Sequence, residues 1–164
     1  MNISDQMNLV SQAMETAPVN VKTLAVSLGI SVHEAYLDSR ISGMLECKDG
    51  KYKISVNVFH PETRKRFTIA HELGHYILHR ELIGNGVDDT TAYRSEEIGK
   101  YHNTDIGPHE ETQANRFAAG LLMPTKLVID AIKKGMDLDR MAEYFGVSRQ
   151  SMDYRVQGMD IPRN

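Results

Sequence analysis

The chain has 164 residues, 41% of them hydrophobic and 25% charged, which is the make-up of an ordinary globular domain. Its formal net charge of -3 argues against a protein built to coat nucleic acid. The single cysteine, Cys47, excludes an internal disulfide and fits a reducing cytoplasm, and no apolar run reaches the roughly 18 residues of a membrane span.

The first residues, MNISDQMNLV, lack the basic start and apolar core of a signal peptide. Residues 2–15 place Ile3, Met7, Leu9, Val10 and Met14 at loosely helical spacing, and Pro18 and Asn20 break that pattern. Val21 to Leu28 predicts a second helix, ended by Gly29. The segment after Gly29 fits two readings: the second half of a helix-turn-helix, or a strand near Val32 to Leu37. Periodicity does not separate them, but strand signals come next and favour the strand. Ile41 to Cys47 is β-like, Lys48-Asp49-Gly50 is a hairpin turn, and Tyr52 to Val58 alternates cleanly. The expectation is a small antiparallel sheet.

His60-Pro61 opens a helix that should run to about His79, with Arg64, Lys65 and Arg66 on its solvated outer face. Gly84 to Gly107 is polar and glycine-bearing and reads as a long loop, a candidate rim or lid. Tyr101, His102 and His109 in or beside it are candidates for oxyanion stabilisation, with nothing to rank them. Glu110 to Pro124 predicts another helix, with Ala114, Phe117, Ala118, Leu121 and Leu122 on its apolar face. The tail, Thr125 to Asn164, is helical. Within it Asp137 to Ser148 reads as helix and turn, and Ser148 caps a helix near Arg149 to Gln157. Arg149, Gln150 and Arg155 are candidates for touching nucleic acid, although a helical cap on the domain is the favoured reading.

The chemistry centres on His71-Glu72-Leu73-Gly74-His75, set in a largely apolar helical stretch. Four residues along a helix advance about 6 Å and turn slightly more than a full circle, so His71 and His75 face the same way. Two imidazoles so placed can hold one zinc ion, and Glu72 beside them can act as general base on a water. Gly74 costs a helix about 1 kcal/mol relative to Ala, which points to close backbone approach there.

A catalytic zinc usually takes a third protein ligand. His79 lies about 12 Å along the axis from His71, too far to join, and is expected behind the ligands or as a cap. Glu81 holds the place of a metzincin's third histidine, but Leu78 stands where the required glycine would be. Of Glu110 and Glu111, the second shares a helix face with Asn115, which can accept a hydrogen bond from a ligand histidine. Glu111 is therefore the expected ligand.

RFTIAHELGHYILH followed by E-x-x-A-N-x-F-A-A-x-L-L-M-P resembles the ImmA/IrrE family of bacterial and phage metallopeptidases. The ISGMLE and I-x-V-N segments upstream and the F-G-V-S segment in the tail are similar to it as well. The resemblance implies an α+β, zincin-like domain, its small antiparallel sheet packed on the motif helix, with zinc on His71, His75 and Glu111 and Glu72 as base. Asn115 stands where the related gluzincin pattern has Asp. We expect residues 1–124 to form that domain and residues 125–164 a helical segment packed on it. The resemblance further implies a cytoplasmic endopeptidase acting on a helix-turn-helix repressor of a mobile element or stress response. Two rival readings are a non-catalytic repressor-binding module and a DNA-binding regulator using the tail.

Overall fold

The computed structural model describes residues 1–90, 100–101 and 103–159. Helices α1 (Ile3–Ala13) and α2 (Val21–Ser27) open the chain. Asn2 and Asn20 cap them, accepting hydrogen bonds from the backbone N–H groups of Asp5 and Thr23. The chain then enters strand β1 (Ser31–Ala35), so the helix-turn-helix reading of this segment gives way to the strand.

Strands β2 (Ile41–Lys48) and β3 (Lys51–Asn57) form the hairpin the sequence predicts. Its turn residues Asp49 and Gly50 have φ of 53° and 75°, the left-handed pair favoured in a two-residue hairpin. A fourth strand, β4 (Gly86–Thr90), pairs antiparallel with β2, giving the order β1-β3-β2-β4. The sheet is mixed, not antiparallel throughout, because β1 runs parallel to β3. The cause lies in the turn at residues 36–40. It reverses the chain, but β3 folds back from β2 into the place beside β1. Buried Asn57 holds that turn through its side-chain N–H groups, donated to the carbonyls of Leu37, Asp38 and Ile41.

Helix α3 (Glu62–Leu78) carries the histidine motif and lies against β2 and β3. A short α4 (Arg80–Ile83) comes after it. Helices α5 (Pro108–Leu122), α6 (Thr125–Lys133), α7 (Leu138–Phe145) and α8 (Arg149–Gln157) complete the α+β fold. One core joins these layers, with Leu45 and Ile54 from the sheet, Ile69 and Leu73 from α3, Leu121 and Leu122 from α5, and Phe145 from α7.

Helices α3 and α5 pack closely. A Cβ on Gly74 would lie 3.2 Å from both the Cα and the carbonyl oxygen of Ala114. The missing side chain is what lets the two backbones approach, and α5 carries Glu111 across to the histidines.

The basic run on α3 is a solvated face only at Arg64, which is exposed. Arg66 is half-buried and donates to the carbonyls of Val19, Phe145 and Gly146, tying α3 to the start of α2 and the end of α7. Lys65 pairs with Glu34, and Arg64 donates to the Ser42 hydroxyl. The expected long loop is also interrupted, since β4 takes up residues 86–90. Residues 91–99 and His102 lie outside the described residues. Among the described residues no helix is long and apolar enough to cross a membrane.

Candidate metal centre

The apolar face of α3 packs into the core, and the ligand-bearing turn goes in with it. His71 and His75 are buried, and Glu72 is completely so. Glu111, in the first turns of α5, faces both rings. Its Oε1 is 3.0 Å from His75 Nε2, and its Oε2 is 3.1 Å from His71 Nε2. Tetrahedral zinc ligands at about 2 Å from the ion stand about 3.3 Å apart, so these two contacts are within a few tenths of an ångström of that spacing.

The backs of both rings are already committed. His71 Nδ1 lies 2.8 Å from Asn115 Oδ1, and His75 Nδ1 lies 2.9 Å from His79 Nδ1. His79 Nε2 in turn meets Gln113 Oε1 at 2.6 Å. One proton assignment satisfies the contacts behind the rings: His71 donates to Asn115, His79 donates to Gln113, and His75 donates to His79. Both Nε2 atoms are left as lone pairs aimed at a carboxylate. Lone pairs and an anion at 3.0 and 3.1 Å need a positive charge between them, either a proton or a metal ion.

The titration of these groups reflects that demand. Burial disfavours the His71 imidazolium, yet the Glu111 carboxylate, with Asp89 and Glu72 behind it, raises its pKa to about 10. Burial pulls His75 down. Burial would raise Glu111, but the two histidines beside it win and hold it well below the usual carboxylate range. Burial drives Glu72 well above that range. Three buried atoms here lack a hydrogen-bond partner among the described residues: His71 Nε2 and both carboxyl oxygens of Glu72. Buried polar groups left unsatisfied are rare in folded proteins, and a group of them suits a site completed by a ligand. The donor set of two imidazoles and a carboxylate fits a divalent metal ion.

The other candidates fall elsewhere. Glu81 is exposed, and Glu110 is occupied in accepting the Gly107 N–H. The Tyr101 hydroxyl donates to Glu46, and His109 is exposed. Two residues at the site carry no clear signal in the sequence. Gln113 is two positions from Glu111, a spacing that does not share a helix face. Asp89 sits on β4, whose V-D-D-T sequence is a poor strand signal.

A cleft of about 420 Å³ borders the centre through Asn115 and Asp89. Its walls include Arg64, Phe67 and Thr68 of α3 and Gln150 and Ser151 of α8. Of the tail's candidates for nucleic acid, Gln150 therefore lines this cleft. Arg155 donates to the Met123 carbonyl and the Thr125 hydroxyl, and Arg149 pairs with Asp139.

Metallopeptidase ImmA of Bacillus subtilis (strain 168) is 26% identical over 117 residues, spanning 70% of this chain and 62% of that protein. The chain thus covers less than two thirds of that relative's length. A Mycobacterium tuberculosis transcriptional regulator shares the fold with a TM-score of 0.63 at 19% identity, covering 98% of this chain and 48% of that one. The IrrE N-terminal-like domain, the Peptidase M78 family, matches residues 25–157, and the chain belongs to that family.

Proposed function

We propose that this chain is a zinc-dependent endopeptidase, with His71, His75 and Glu111 as metal ligands and Glu72 as general base. The observation that carries the reading is the meeting of two sets. Three donors converge within ion-pair distance, and a fully buried, unpartnered carboxylate stands next to them. A purely structural site has no need of that carboxylate.

Zinc held by the three donors would polarise the scissile carbonyl and make a water acidic enough to lose a proton near neutral pH. Glu72 takes that proton as the water oxygen bonds to the carbonyl carbon. It gives the proton to the amide nitrogen as the C–N bond breaks. Asn115 and His79 keep the two imidazoles turned toward the donor centre throughout. Residues 1–124 serve as the peptidase domain, and Val147, Ser148, Gln150 and Ser151 of the helical tail supply one wall of the cleft beside it. The substrate we infer is a helix-turn-helix repressor, on the family resemblance, and the free Cys47 is in keeping with a cytoplasmic setting.

Elemental analysis of protein purified without chelator tests the centre. About one zinc per chain is expected in the wild type and in Glu72→Gln, and much less in Glu111→Ala. Co-expression with the repressor encoded nearest its gene tests the activity. The wild type should yield a cut repressor and Glu72→Gln an intact one. Equal cutting by both would remove Glu72 as the base, and zinc-loaded protein that binds the repressor without cutting it would favour the binding module.

A further inference from the structure

We propose that Asp89 and Glu72 together cradle the attacking water, one carboxylate on each of its hydrogens. The proposal rests on the metallopeptidase reading above and adds a residue to it. A carboxyl oxygen of Asp89, a ring nitrogen of His71 and a carboxyl oxygen of Glu72 all lie within 4.8 Å of one another. Glu72 is fully buried with neither oxygen hydrogen-bonded, and the Asp89 carboxyl is the second acid at this point. A buried water needs two to four polar partners, and this gap supplies them.

The fold aims Asp89 at this point. On β4, an edge strand, Asp88 and Asp89 point to opposite faces. Asp88 turns away and accepts the Tyr101 N–H. Asp89 turns toward α3. It pairs across the ladder with Gly43, next to the register shift between Ile41 and Gly43. Irregularities of this kind re-aim side chains near active sites. A Cβ on Gly43 would lie 2.6 Å from the Thr68 side chain, so the bare glycine lets β2, with β4 beside it, press against the motif helix.

In the reaction the two carboxylates divide the work. Glu72 removes one hydrogen of the water as a proton and returns it to the leaving nitrogen. Asp89 holds the other by a hydrogen bond, and that hydrogen stays on the new carboxyl product. Atoms and charge balance without a further reactant. Asp89 is thus a positioning residue, and it places a negative charge beside His71 and Glu72, where an anion drawn to a metal held by the centre would meet it.

The test is azide binding to the cobalt-loaded protein, followed by visible absorption. Asp89→Asn should take up one cobalt per chain, as the wild type does. It should bind azide about tenfold more tightly, because a like charge a few ångströms away has gone. Asp88→Asn, the same charge change on the opposite face, should shift azide binding far less. Equal azide affinity in Asp89→Asn and wild type overturns the proposal. So does loss of cobalt from Asp89→Asn, which would make Asp89 a ligand. A wild type that takes up no cobalt removes the metallopeptidase reading itself, and the proposal with it.

Discussion

His75 Nδ1 stands 2.9 Å from His79 Nδ1, and beyond it His79 Nε2 stands 2.6 Å from Gln113, so a relay reaching across from α5 sets the tautomer of a candidate ligand histidine. Without His79, the His75 ring is free to turn and to carry its proton on Nε2. His79→Ala should therefore weaken zinc binding by about 10- to 100-fold while leaving the helices intact. Gln113→Ala should act in the same direction and less. Competition with a chromophoric chelator reads both, and circular dichroism checks the fold. Undiminished affinity in His79→Ala would mean that the relay does not orient the ligand.

Much of this centre is legible in the sequence because it lies on helices. His71 with His75, and Glu111 with Asn115, are each spaced by four residues, and one apolar stripe tells which face is inward. Gly74 signals close approach, and Ala114 is what approaches it. The parts that are not legible come from tertiary contact. Asp89 reaches the site only because β4 pairs with β2, and two adjacent aspartates weigh against a strand in any local reading. The parallel placing of β1 depends on where β3 returns, which no residue in β1 announces. Arg66 reads as a solvent-facing charge because its partners are carbonyls, 47 to 80 residues away.

The metal-free chain should lose stability as pH rises. His71 has a pKa raised from 6.5 to about 10 in the folded state, so its proton stabilises the fold fully below 6.5 and that contribution is lost toward 10. Glu72, also raised, works in the same direction above 4.5. Glu111 is lowered and contributes above 4.5, a contribution lost on acidification. The apo protein should thus be most stable near pH 4.5, falling slowly above it through Glu72 and further above 6.5 as His71 joins, on these three groups. Zinc takes the place of the His71 proton, so apparent zinc affinity should climb about tenfold per pH unit through neutrality. Thermal melts of apo and loaded protein across pH read the first, and chelator competition the second. A flat apo profile from pH 6.5 to 9 would contradict the buried imidazolium.

Arg66 joins three parts of the chain through backbone carbonyls alone. Arg66→Met keeps the apolar stem and removes every donor, leaving the carbonyls of Val19, Phe145 and Gly146 unmatched. Hydrogen bonds to a charged donor contribute about 1.5–3 kcal/mol each, with partial recovery where water enters. A loss of about 2–4 kcal/mol in urea unfolding is expected. Hydrogen exchange should quicken first around residues 145–147, where α7 ends. A variant as stable as the wild type would make these contacts incidental.

Gly74→Ala sets two effects against each other. Alanine favours the helix by about 1 kcal/mol over glycine. Its methyl group, however, would meet the Ala114 backbone at 3.2 Å and the Phe117 Cβ at 3.2 Å. Backbone cannot swing aside as a side chain can, so α5 must move outward as a unit. Overpacking of this kind costs about 1–3 kcal/mol, which outweighs the helix gain. The same displacement carries Glu111 away from the histidines, because it lies on α5 about one turn before Ala114. The variant should therefore unfold at lower urea and also bind zinc less tightly, although no ligand has been changed. Greater stability with unchanged zinc affinity would show that α3 and α5 have room to spare. Greater stability with weaker zinc binding would still tie the position of Glu111 to this contact, and would leave only the sign of the packing cost mistaken.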